Sequence, residues 1–221
     1  MNTLKNFITK YKHAWVFLYG LIYLPWFAWL ESHVTDDFHI IHMAIDDHIP
    51  FIEYFVIPYF LWFAYVAVGI AYFFFKNKND FYRLCAFLFI GMTIFLFIST
   101  IYPNGHTLRP DTFTRDNIFT QIVAWLYATD TPTNLFPSIH VYNSLGIHLA
   151  VTKSECFKEK KGVRLLSFIL CASIILSTMF LKQHSFFDVI TAFVMAGIMY
   201  CLVYVRSSNT EEAYEKQFHR I

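Results

Sequence analysis

Charge is scarce in this chain. Of 221 residues only 15% are charged, against 57% hydrophobic and 20% aromatic, whereas a water-soluble domain carries about a quarter charged residues. Mean hydropathy is +0.44. With so little polar surface to offer water, the expected solvent is a bilayer. A basic block is missing as well: 17 Lys+Arg stand against 16 Asp+Glu without a clustered run, which argues against nucleic acid as a partner, because phosphate backbones are bound by grouped cations. Gly and Pro number only 7 each while Phe numbers 26, so disorder and collagen-like structure are excluded. The four cysteines, Cys85, Cys156, Cys171 and Cys201, show neither C-x-x-C spacing nor pairing within one loop, and we expect no disulfide and no zinc site.

What the chain does have is apolar runs. A bilayer-crossing helix needs about 20 such residues, and six stretches separated by polar breaks qualify as spans: 14–30, 52–75, 82–102, a shorter one at 139–151, 165–181 and 184–205. The first follows Lys5, Lys10 and Lys12, as a signal peptide would, but bulky Phe27, Trp29 and Leu30 stand where cleavage needs small residues, so it is expected to be retained. Lys and Arg flank cytoplasmic span ends. They crowd one side: Lys5, Lys10 and Lys12; Lys76, Lys78 and Arg83; Lys153, Lys158, Lys160, Lys161 and Arg164; Arg206, Lys216 and Arg220. Only Arg109, Arg115 and Lys182 fall on the other face, among Glu31, Asp36, Asp37, Asp46, Asp47, Asp111, Asp116 and Asp130. Six spans then leave both termini cytoplasmic.

The expected architecture is therefore an all-α polytopic membrane protein with six transmembrane helices, its 221 residues forming a single membrane-embedded catalytic domain. Residues 35–49 add an apolar stripe of Phe38, Ile41 and Ile45, with Thr35 as a cap, which predicts an outer interfacial amphipathic helix roofing the site. The same segment holds His39, His42 and His48 among Asp36, Asp37, Asp46 and Asp47, with His33 just before it. Their mixed spacings lack a tetrahedral signature, and no metal site is read there. His148 and Asn143 are expected to make interhelical hydrogen bonds.

Three polar sites distant in sequence arrive at one membrane face: Arg109-Pro110, the Pro137-Ser138-Ile139-His140 run at the start of the fourth span, and Lys182-Gln183-His184 before the last. His184 and Asp188 are one helical turn apart, and side chains tilt toward the helix N-terminus, so the carboxylate leans back toward the imidazole. A carboxylate on one ring nitrogen fixes the tautomer and frees the other nitrogen as a nucleophile or base. If His184 attacks phosphorus, His140 can supply the proton for the leaving oxygen. Arg109 and Lys182 would neutralise the non-bridging oxygens, and Ser138 with the backbone N–H of Ile139 would donate hydrogen bonds at a helix N-terminus. This chemistry needs no metal and no other cofactor.

In this order the blocks resemble the type 2 phosphatidic acid phosphatase superfamily, whose pattern is Lys-x6-Arg-Pro, then Pro-Ser-Gly-His, then Ser-Arg-x5-His-x3-Asp. Here Ser177, His184 and Asp188 carry the third block, while Tyr102, Ile139 and Thr178 stand where the pattern has Lys, Gly and Arg. Two phosphate-binding cations are thus absent from their usual places, and Lys182 is the basic residue placed to replace one. Lys182-Gln183-His184, with Asp46-Asp47-His48-Ile49-Pro50, looks more like the branch related to inositolphosphorylceramide synthases. The resemblance implies a lipid phosphatase acting through a phosphohistidine on the outer face of the plasma membrane. Its substrate would be phosphatidic acid, phosphatidylglycerol phosphate or a polyprenyl pyrophosphate. The alternatives are a lipid head-group phosphotransferase and, from another class, an anion or lipid transporter. The sequence leaves the lipid and the oligomeric state open. The fourth run, 13 residues long, covers roughly 20 Å of a hydrocarbon layer roughly 30 Å thick, so its catalytic end is expected to lie below the outer interface.

Overall fold

The computed structural model describes residues 9–35 and 37–205. Lys5, Asp36, Arg206, Lys216 and Arg220, used above for orientation, lie outside the described residues. A 3-10 segment, Lys12–Tyr19, leads into α1 (Gly20–His33). Then come α2 (Val56–Lys76), α3 (Lys78–Ile101), α4 (Ile118–Thr129), α5 (Ile139–Lys153), α6 (Lys161–Phe180) and α7 (Phe186–Tyr200), the last continued by a π turn, Cys201–Val205.

Among the described residues five helical stretches are long and apolar enough to cross a membrane: Lys12–His33, Glu53–Lys76, Lys78–Ile101, Lys161–Phe180 and Phe186–Val205. Their outward faces carry large apolar side chains such as Leu21, Phe63, Ile101, Phe168 and Val194, a surface that water would not tolerate in such extent. The protein is a helical, multi-pass membrane protein. The fourth apolar run of the sequence becomes α5, which at 15 residues is shorter than the five.

That short helix is the centre of the bundle, in contact with α2, α3, α6 and α7. In hydrocarbon there is no hydrophobic drive between helices, and close approach at small residues takes its place. A Cβ on Gly91 of α3 would run into the ring of Tyr142, and one on Gly146 of α5 would come within 2.8 Å of Leu88 and Phe87. With both positions bare, Tyr142 stacks on Phe87 at 4.7 Å between ring centroids and donates its hydroxyl hydrogen to the Phe87 carbonyl at 2.6 Å. His148 of α5 meets the Ser167 hydroxyl at 3.1 Å, and that hydroxyl meets Tyr65 at 2.6 Å, the interhelical bonding expected of His148. The Asn143 side-chain oxygen has no hydrogen-bond partner.

Residues 35–49 do not form the expected amphipathic helix. Their backbone groups are used elsewhere: β1 (His39–Ile40) pairs in parallel with β2 (Asn104–Gly105), and the His39 and Ile41 amides donate to the carbonyls of Pro103 and Gly105. Tight turns follow, fixed by Asp46, whose carboxylate accepts from the Met43 amide at 2.8 Å. Short acidic side chains compete in this way with helical hydrogen bonding. The apolar stripe splits, with Ile41 buried and Ile40 and Ile45 exposed. The loop before α5 holds an apolar helix instead: α4, opened by an Asn117 capping box and packing Val123 and Leu126 against Val56, Tyr59 and Leu181.

Candidate functional site

The α6–α7 turn places His184. α6 ends at Phe180, Lys182 takes a left-handed backbone (φ 51°), and the amides of Gln183 and His184 both donate to the Thr178 carbonyl, at 2.9 and 3.1 Å. α7 then starts with a capping box, in which Ser185 Oγ accepts from the Phe187 amide and Asp188 Oδ2 accepts from the Ser185 amide at 3.0 Å. The same Oδ2 lies 3.3 Å from His184 Nδ1. A cap needed to start the helix therefore also fixes the carboxylate against the imidazole. Both residues are buried. Burial first, and the Arg109 guanidinium second, push His184 down to about 3 against the opposing pull of the Leu135 carbonyl. The ring is neutral at ordinary pH, and its Nδ1 faces Asp188.

His140 enters from the first turn of α5. Ser138 is the N-cap: its Oγ accepts from the Val141 amide at 3.4 Å and its own amide donates to the Asp188 carbonyl at 3.3 Å. The His140 ring lies 4.7 Å from Tyr59, 4.4 Å from Trp62 and 5.7 Å from His184 between centroids, and its Nδ1 has no hydrogen-bond partner. One pocket is lined by both histidines together with Phe27, Glu31, Tyr59, Asp130, Thr133, Asn134, Leu135, Ile139 and Gln183. The 131–138 loop that forms one wall is anchored by Asn104, which accepts from the Leu135 and Phe136 amides at 2.9 and 3.0 Å.

Of the residues expected from sequence, His140, His184, Asp188 and Ile139 meet here, Ile139 through its position on the pocket wall. Ser138 is fully buried, spent as a cap rather than exposed to the pocket. Arg109 sits one layer back. Its Nη1 donates to the carbonyls of Tyr127 (3.2 Å) and Asp130 (2.7 Å), and its Nη2 to the Thr131 carbonyl (3.3 Å) and Gln183 Oε1 (2.6 Å). It touches the pocket through Gln183. Lys182 does not join the group: its Nζ donates to the Asp46 carbonyl at 2.7 Å, where the Asp46 and Asp47 carboxylates hold it while burial pulls its pKa down. The ammonium lies beside the Asp46 and Asp47 carboxylates and is not among the residues lining the pocket of the two histidines.

Several residues of the site had no role assigned from the sequence. Asp46 caps α7, accepting from Ser185 Oγ and from the Phe186 amide at 2.8 Å, which ties the 35–49 segment to the turn that carries His184. Its neighbour in the loop, His42, pairs with Asp47 at 2.8 Å. His106 is buried, accepts the Leu108 amide on Nδ1 at 3.1 Å and leaves Nε2 without a partner. Burial lowers it to about 4 against the opposing pull of the Gln183 carbonyl, with the Arg109 guanidinium adding to the fall. The one available signal for His106 and Gln183 was their position beside Arg109 and His184.

A family model described as PAP2 superfamily matches residues 107–212. That stretch is similar to the PAP2 superfamily over just under half of the chain. The match covers Arg109 and both histidine blocks, whereas Glu31, Asp46, Tyr59 and His106 lie before the PAP2 segment. No curated protein and no solved structure matches the chain.

Proposed function

We propose that the protein is a membrane-embedded lipid phosphatase or phosphotransferase working through a phosphohistidine on His184, with the whole chain acting as one catalytic domain. The observation that carries this reading is the pairing of neutral His184 Nδ1 with Asp188 at 3.3 Å while His140 shares the same pocket. Nδ1–H donates to the carboxylate, so the Nε2 lone pair attacks phosphorus. As the ester bond breaks, His140 delivers a proton to the leaving lipid oxygen, and it then accepts a proton from the incoming water or alcohol. Arg109 acts through Gln183: with Oε1 held by the guanidinium, Gln183 turns its amide nitrogen, which has no other partner, to a phosphate oxygen.

In this reading α5 is a sixth, short crossing, and charge bias puts the site on the extracytoplasmic face of the plasma membrane. All the site's anchors lie at one end of the bundle. The other end holds Asn77, the N-cap of α3, and the Ser154–Asp80 hydrogen bond near Lys76, Lys78 and Lys153. Hydrolysis is the first outcome. Transfer to an alcohol is the second, favoured by the acidic pocket wall described below. The test is to incubate purified protein with lipid phosphate esters in the presence of EDTA, following free phosphate and new phospholipid together. Product formation with a [32P]-labelled, acid-labile enzyme adduct supports the reading. Uptake of lipid or anion into vesicles without bond cleavage would sink it in favour of a transporter.

A further inference from the structure

The pocket that holds the two histidines has the wrong charge for a phosphate monoester. It contributes two carboxylates, Glu31 and Asp130, and no lysine or arginine lines the pocket. Glu31 sits near the C-terminal end of α1, where helix carbonyls disfavour a negative charge, yet it is held firmly: Thr131 Oγ1 donates to it at 2.6 Å and Asn134 Nδ2 at 3.0 Å. Asp130 lies 3.9 Å from Arg109 and is hydrogen-bonded to the Tyr59 hydroxyl. Arg109 offsets one of these charges, and one negative charge is left over.

Two buried atoms in the same walls lack partners. Asn134 is 5% exposed and directs its amide nitrogen to Glu31, so its unpartnered Oδ1 is an acceptor; Gln183 is 1% exposed and presents its oxygen to Arg109, so its unpartnered Nε2 is a donor. Buried polar atoms without partners are rare and mark a place for a ligand or water. Both residues line the pocket. The Gln183 donor stands beside His184 and suits a phosphate oxygen, whereas the Asn134 acceptor belongs to the acidic wall and suits an N–H.

We propose that Glu31, Asp130 and Asn134 form a subsite for a primary ammonium, so that the substrate is a zwitterionic phosphodiester lipid of the ethanolamine type. This inference rests on the phosphohistidine reading above. A monoester would bring almost two negative charges up to two carboxylates, whereas a diester brings one and its ammonium cancels it. The rings of Phe27 and Tyr59 in the same pocket suit a cation as well. The step balances. His184 Nε2 bonds phosphorus, the bond from phosphorus to the diacylglycerol oxygen breaks, and His140, entering the step as its imidazolium, gives its proton to that oxygen. Water or an alcohol then displaces the head-group phosphate from Nε2, giving its proton to His140.

The test compares kcat and KM for phosphatidylethanolamine, phosphatidylglycerol and phosphatidic acid in mixed micelles. The expected result is a KM at least about tenfold lower for the ethanolamine ester. Glu31→Gln and Asp130→Asn should each erase that preference through KM rather than kcat. A preference for phosphatidic acid or phosphatidylglycerol, or a selectivity unchanged in both variants, overturns the subsite. Binding of short-chain forms of the same three lipids to the His184→Ala protein gives a second readout that needs no turnover. If the parent turns over none of them, the phosphohistidine reading fails, and equal binding of all three by the His184→Ala protein separately overturns the ammonium subsite.

Discussion

The two histidines of the pocket are held in opposite ways. His184 is pinned by main chain: its amide is bonded to Thr178, and its Nδ1 faces a carboxylate that a capping box has already oriented. His140 is held by ring faces alone, between Tyr59 and Trp62, with Nδ1 unpaired. A nucleophile must present one lone pair in one direction, which a fixed tautomer provides. A residue that gives and takes a proton needs a nitrogen left uncommitted. On the proposed reading, this contrast suits His184 to attack and His140 to proton transfer.

Breaking the pinned side should have the largest effect. His184→Ala removes the attacking nitrogen and should abolish both turnover and the acid-labile adduct. His140→Ala should slow turnover by roughly 10²- to 10⁴-fold, with a smaller loss when the ester is replaced by a good leaving group such as p-nitrophenol. Equal losses with both esters would remove His140 from the acid role.

The acidic wall sharpens the comparison through pH. Burial raises the Asp130 carboxyl to about 6, with Glu31 adding to the rise and Arg109 and the Tyr59 hydroxyl opposing it. As pH falls through about 6, Asp130 takes up a proton and the wall loses a negative charge. KM for an ethanolamine ester should then rise by about tenfold, while His184, held near 3, stays neutral. Asp130→Asn should show the high KM at every pH and no step near 6. The buried histidines add an effect on stability. His106 binds a proton at about 4 instead of its ordinary 6.5, so the unfolded chain is the better proton binder between those values, and stability present above 6.5 is lost as pH falls toward 4. His106→Asn, which keeps an acceptor for the Leu108 amide, should flatten that part of the thermal-unfolding profile.

The smallest effect on activity is expected at Lys182. Because its ammonium serves the Asp46 carbonyl outside the pocket, Lys182→Met should leave kcat/KM within about threefold. Loss of a charge-assisted hydrogen bond should lower stability by about 2 kcal/mol. A tenfold rise in KM with unchanged stability would return Lys182 to the phosphate.

Much of this protein was legible in its residues. Runs of apolar side chains are a local property, and each of the five long helices begins and ends within a few residues of an apolar run, because the bilayer leaves an apolar segment no other way to satisfy its backbone. The convergence of His140, His184 and Asp188 was legible too, since their spacing is set by one turn of α7 and the first turn of α5. The segment 35–49 was misread because its apolar stripe is a local signal that long-range contacts overrode: its amides are taken by Pro103 and Gly105, and Asp46 is claimed by α7.

The sequence by itself determined the solvent of this protein, its helical class, and the pairing of His184 with Asp188, all of which follow from composition or from contacts within one helical turn. Tertiary structure alone decided which charges face the pocket. Glu31 and Asp130 are 99 residues apart in numbering, and nothing local brings them to one wall. Arg109 and Lys182 were both read toward the phosphate until the fold gave Arg109 to Gln183 and Lys182 to Asp46. Charge acts through space with a strength set by burial and by neighbours from distant segments, so the electrostatics of the site appear only once the chain has closed around it.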